Sequence, residues 1–182
     1  MAGHKRAPEA LAVVSFVESS VFPIPPDIML IPMVLANRAK AWSYALLCTI
    51  ASVLGGMAGY AIGFYLFDLI GKPMLDLYGY GDKFQQFAAQ YNDWGAWIVF
   101  FAGVTPFPYK VITIASGATA LNLPVFILAS VVARGLRFFV VAALLYWFGE
   151  PIRAFIERRL GILFTIFCVL LLGGFVALRY LF

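Results

Sequence analysis

With 182 residues, 63% of them hydrophobic and 12% charged, and a mean hydropathy of +0.92, the chain lacks the polar surface that a water-soluble domain of this size needs. The net charge of +4 is spread over loops and apolar segments, which argues against a nucleic-acid surface. Cys48 and Cys168 lie in apolar spans and read as packed thiols, and the only histidine, His4, sits in the N-terminal tail. No disulfide framework, metal site, cofactor site or histidine nucleophile is legible, and one membrane domain over 1–182 is expected.

The first apolar stretch, 10–36, is long enough to cross a bilayer but carries Glu18, Asp27 and four prolines, and it is no secretory signal. Its middle reads Phe22-Pro23-Ile24-Pro25-Pro26-Asp27. Proline lacks an N–H and pushes the residue before it out of helical geometry, so this cluster should end a helix rather than bend it. Open backbone at membrane depth is tolerated only when buried in protein or lining a wet cavity, and the shape expected is a re-entrant hairpin. A full span follows at 41–67, more than the roughly 20 residues that one crossing needs. In it Ala51, Gly55, Gly59 and Gly63 form a small-residue stripe that lets another helix approach closely.

Residues 72–93 read as an interfacial segment, with Phe84, Phe87, Ala88 and Tyr91 on one face of a short helix. Residues 95–120 repeat the first pattern around Thr105-Pro106-Phe107-Pro108-Tyr109-Lys110, giving a second hairpin whose first limb, 96–104, reaches only about 14 Å at ~1.5 Å per residue. The hairpin tips are Pro23, Pro25 and Pro26 in one and Pro106, Pro108 and Tyr109 in the other. Spans at 124–148 and 160–182 complete the chain. Trp42, Trp94, Trp97 and Trp147 lie near span ends, where interfacial tryptophans belong.

Pro23, Pro25 and Asp27 match Pro106, Pro108 and Lys110 at a constant offset of 83 residues. A duplicated hairpin-plus-helix unit of this kind suggests a transporter fold. The basic residues give an independent topology: Lys5, Arg6, Arg38, Lys40, Arg153, Arg158 and Arg159 share one side, against Lys72, Lys83 and Arg179 on the other. The positive-inside rule therefore favours two opposed hairpins entering from opposite faces, with the N-terminus cytoplasmic. The fold class expected is an all-α membrane protein, an inverted repeat of re-entrant hairpin plus transmembrane helix, with one extra C-terminal span.

Five ionisable residues fall inside apolar segments: Glu18, Asp27, Lys110, Arg134 and Arg137. Each costs at least about 2.5–3.5 kcal/mol at mid-bilayer, so such residues face partners or water. Asp27 and Lys110 are equivalent in the repeat and would meet if the tips meet. Arg134 and Arg137, three apart, share a helix face that could pair with Glu18 or attract an anion. Two bland readings compete: salt bridges such as Glu18 with Arg134 that only hold the hairpins, and Lys110 snorkelling to an interface. Three cations against two acids suit an anionic phosphate headgroup or a proton path.

At these residues the sequence resembles the DedA family, the VTT or SNARE-associated Golgi protein group. The resemblance rests on Glu18 with Phe22-Pro23-Ile24-Pro25-Pro26-Asp27, Gly55-Gly56 through Gly59-Tyr60-Ala61-Ile62-Gly63, Thr105-Pro106-Phe107-Pro108-Tyr109-Lys110, Ala115-Ser116-Gly117, and Arg134-Gly135-Leu136-Arg137-Phe138. It covers roughly residues 10 to 150 and is nearest the short YqaA-like branch, in which Thr-Pro-Phe-Pro-Tyr-Lys recurs. It implies two opposed re-entrant hairpins, a role in bacterial envelope integrity, and translocation of undecaprenyl phosphate or phospholipids. In some members it implies dependence on the proton-motive force through acids placed like Glu18 and Asp27. The sequence departs from the commoner pattern at Gly56, where many relatives have aspartate, and around Pro106, where flanking arginines are replaced by Gly103, Val104, Tyr109 and Lys110. Arg134 and Arg137 would then supply the positive charge from the neighbouring helix.

The function expected is a lipid translocase or scramblase of the bacterial inner membrane, not an enzyme. Membrane lipids with anionic phosphate headgroups would be its partners, with proton coupling and homo-oligomerisation left open. The rivals are a proton-coupled transporter of small ions or drugs and a non-transporting membrane scaffold. No nucleophile–base pair is legible, although Glu18 with Asp27 stays open as an acid–base pair.

Overall fold

The computed structural model describes residues 6–20, 25–105 and 107–149. The third apolar span, at 160–182, and the tip prolines Pro23 and Pro106 lie outside the described residues. Every regular element among them is a helix: α1 (Ala7–Ser20), α2 (Asp27–Ala36), α3 (Ala41–Leu66), α4 (Lys72–Leu77), α5 (Gly81–Val104), α6 (Tyr109–Ala118) and α7 (Leu123–Phe148). A single 3-10 turn, Arg38–Lys40, leads into α3, and a π-helical turn, Phe67–Gly71, joins α3 to α4.

Both proline clusters separate two helices. α1 ends at Ser20 and α2 begins at Asp27. α5 ends at Val104, and Thr105, the residue before Pro106, is extended at φ −78°, ψ 165°, the geometry that a following proline imposes. Pro108 is extended as well, and α6 starts directly after it. α7 is started by Asn122, whose side chain accepts a bond from the Val125 N–H, with proline in its first turn. α5 runs unbroken from Gly81, across the division between 72–93 and 95–120 that the sequence pattern suggests. Two polar side chains at that division bond across the fold. Tyr91 Oη bonds Ser116 Oγ at 3.0 Å, and Asn92 Nδ2 donates to the Thr119 carbonyl at 2.8 Å.

Along stretches of α3 and α7 the usual order of a soluble protein is reversed. α3 buries Cys48, Thr49, Ser52, Gly55, Gly56, Gly59 and Gly63, while Leu46, Ile50 and Leu54 are each about half exposed. α7 buries Ser130, Ala133 and Arg134 and turns Leu128, Val132 and Leu136 outward. Small and polar groups inside with branched apolar groups outside suit an apolar surrounding. Two described helices, Arg38–Leu77 and Leu123–Phe148, are long and apolar enough to cross a membrane.

α3 lies at the centre, against α1, α6 and α7, and α5 and α2 both pack on α7. The contacts are close enough to require glycine. A Cβ at Gly55 would collide with the Phe16 carbonyl, one at Gly63 with the Ile114 carbonyl, and one at Gly117 with the Tyr60 carbonyl. Gly59 faces the Thr113 side chain, and on the other side of the bundle Gly103 of α5 lies against the Ala133 methyl of α7. The helices thus assemble reciprocally. The helix before each break rests on the long helix that follows it (α1 on α3, α5 on α7), and the helix after each break rests on the other long helix (α6 on α3, α2 on α7). Two apolar cores result, one around Leu11, Leu30, Met33, Phe138 and Leu145, the other around Val99, Tyr109, Leu121 and Phe126.

Candidate functional site

A polar layer connects the two cores, and Arg134 is its centre. Its side chain is 1% exposed, with the guanidinium between two aromatic rings, 4.8 Å from the centroid of Tyr109 in one core and 4.8 Å from that of Phe138 in the other. Such stacking on ring faces suits a weakly hydrated planar cation. Arg134 Nη2 donates to Glu18 Oε2 at 2.6 Å, and Nε donates to Ser52 Oγ at 2.6 Å. Ser52 in turn shares a 2.6 Å hydrogen bond with Ser19, and Ser19 Oγ donates to the same Glu18 oxygen at 3.0 Å. Glu18, Ser19, Ser52 and Arg134 therefore close a ring of hydrogen bonds across α1, α3 and α7. Tyr109 is held in place by its bond to Ser130 on α7.

One turn along α7, Arg137 reaches both helix breaks. Nη2 bonds Asp27 Oδ2 at 2.6 Å, at the start of α2, and Nη1 donates to the Thr105 carbonyl at 3.0 Å, at the end of α5. Arg137 is more open than Arg134, with 19% of its side chain exposed against 1%. Arg134 Nη1 and Asp27 Oδ1 are buried with no hydrogen-bond partner among the described residues, so the layer keeps hydrogen-bonding capacity beyond its internal pairs.

Four of the five ionisable residues singled out in the sequence, Glu18, Asp27, Arg134 and Arg137, lie within this layer. Glu18 pairs with Arg134, and the ion pair of Asp27 is with Arg137. The internal repeat aligns Asp27 with Lys110, but the reach of the α7 arginine across both breaks decides the pairing. Lys110 is half-buried on the first turn of α6, where its carbonyl accepts from Thr113 Oγ1 at 2.9 Å. Thr113 Oγ1 also donates to the Ser19 carbonyl, tying α6 to the end of α1. Of the described tip residues, Pro26 and Tyr109 are buried and Pro25 and Pro108 are exposed. Sequence reasoning missed Ser19, Ser52, Ser130 and Thr105 as members of the layer. The signal available for the first two was a hydroxyl beside Glu18 and one inside the glycine-rich stretch of an apolar span. Among the described residues, no three His, Cys, Asp or Glu side chains gather as a metal site would require.

The VTT domain family matches residues 24–147, which include Asp27, Lys110, Arg134 and Arg137 but not Glu18. The chain is 39% identical over 160 residues to an uncharacterized protein of Haemophilus influenzae, covering 88% of this chain and 83% of that one. It is 33% identical over 159 residues to an uncharacterized protein of Histophilus somni, covering 87% and 83%. No solved structure matches.

Proposed function

The chain belongs to the VTT domain family, also called DedA, and from that premise we propose that it is a lipid translocase or scramblase. Its substrate is a lipid with a phosphate headgroup, a phospholipid or undecaprenyl phosphate, and its place is the bacterial inner membrane with the N-terminus cytoplasmic. The reciprocal packing of the helices around the two breaks supports an inverted repeat of two re-entrant hairpins. The observation that carries the reading is Arg137, a partly exposed guanidinium at membrane depth that bridges both breaks.

An arginine fork matches phosphate as well as carboxylate, so a headgroup entering between the breaks can replace the Asp27 carboxylate on Arg137. The two internal acids then keep the layer close to neutral while the layer is empty of substrate, and they compete with the phosphate when it is present. The lipid tails stay in the surrounding hydrocarbon while the headgroup crosses. Glu18 and Arg134, closed off by rings and serines, hold the two halves together, and Arg137 with Lys110 contacts the moving phosphate. Labelled-lipid flip-flop in liposomes tests this: Arg137→Gln should abolish it while the purified variant stays folded.

A second reading, proton-coupled transport of a small ion or drug, draws on the two carboxylates at membrane depth, Glu18 and Asp27. It requires transport that stops when the proton gradient collapses.

A further inference from the structure

Among the described residues, one face of α5 is left open by the bundle. Trp94, Trp97 and Phe101 are 63%, 58% and 59% exposed, and Phe87 continues the stripe two turns earlier. Spacings of seven, three and four place these rings on one side of the helix. With Ile112 of α6 they line an open, almost wholly apolar groove of about 870 Å³. From Phe87 to Thr105 it follows about 27 Å along α5 at ~1.5 Å per residue. Thr105 is also in its lining, and the Thr105 carbonyl is the one that accepts from Arg137.

We infer that this groove holds a hydrocarbon chain of a lipid whose phosphate is engaged at Arg137. The inference rests on the lipid-translocation reading and adds a chain-binding site to it. Two features separate the groove from the ordinary lipid-facing ridges, such as Leu46, Ile50 and Leu54 on α3. It is concave and walled by rigid rings, which lose little freedom on contact. It also shares Thr105 with the polar layer, since Thr105 is in its lining and the Thr105 carbonyl accepts from Arg137 at 3.0 Å. A chain seated there aligns its own headgroup with the helix breaks, so chain and phosphate are recognised together. A neutral lipid gains only the weaker half of this contact.

The test uses the full chain in liposomes with two photoreactive probes, a phosphatidic acid and a diacylglycerol, each carrying a diazirine at mid-chain. The result expected is several-fold more adduct on residues 94–107 with the phosphatidic acid than with the diacylglycerol, and equal labelling of the Leu46–Leu54 ridge by both. Equal labelling of 94–107 overturns the inference. So does exclusion of both probes because residues 160–182 or a second copy cover the groove. Flip-flop measured on the same vesicles keeps the two readings apart. Flip-flop without groove preference rejects the groove alone, and groove preference without flip-flop rejects translocation.

Discussion

Glu18→Ala removes the carboxylate from a guanidinium that is only 1% exposed. Breaking a buried ion pair on one side costs about 3–5 kcal/mol, because the remaining charge is left in a poor environment. Arg134 keeps the Ser52 bond and both ring faces after the change, which places the expected loss toward the lower end, about 3–4 kcal/mol. For a chain of this length each kcal/mol corresponds to roughly 2–4 °C in Tm, so thermal unfolding in detergent should drop by about 6–16 °C. Replacing both partners with apolar side chains, Glu18→Leu with Arg134→Met, should restore the Tm to wild type or above, since an apolar pair carries no desolvation cost. A Glu18→Ala variant within about 2 °C of wild type would refute the clamp. A double variant no better than the single one would refute it as well.

Gly63→Ala should destabilise by about 1–3 kcal/mol, because its new methyl meets the Ile114 backbone and the α3–α6 contact must open. Gly56→Ala meets only the Tyr109 ring at 3.3 Å and the Thr113 methyl at 3.4 Å, and should stay within about 1 kcal/mol of wild type. Unfolding midpoints of the two variants, side by side, check this contrast. In a background with Cys48 and Cys168 replaced, single cysteines at Arg6 and Lys40 should react with a membrane-impermeant thiol reagent from one side and a cysteine at Lys83 from the other. Labelling of positions 6 and 40 from opposite sides would mean that 10–36 crosses completely and is no hairpin.

The two helix breaks were legible because prolines clustered within a few positions remove several N–H donors at once, whereas the lone Pro32 is accommodated inside α2. The long helices 41–66 and 123–148 were legible because an apolar run of that length has few other fates. What escaped depends on tertiary partners. Residues 72–93 and 95–120 read as separate segments, yet Asn92 finds the Thr119 carbonyl across the bundle and α5 runs from one into the other. The Glu18–Arg134 pair was legible from the helix face that carries Arg134 and Arg137, but the pairing of Asp27 with Arg137 follows from the rotation of α7 and the reach of that arginine. Ser19 and Ser52 are 33 residues apart and make sense only once α1 lies on α3. The groove on α5 was likewise hidden, since only the tertiary arrangement brings Ile112 of α6 into one lining with Trp94 and Trp97.

Flip-flop in liposomes holding the purified chain is the most direct test, with labelled phospholipid and labelled undecaprenyl phosphate in parallel, with and without a pH gradient, beside Arg137→Gln and Lys110→Ala. The account predicts translocation of at least one phosphate-bearing lipid by the wild-type protein and its loss in folded Arg137→Gln and Lys110→Ala. Flip-flop of neither lipid under either gradient, or undiminished flip-flop in the Arg137 variant, would contradict it.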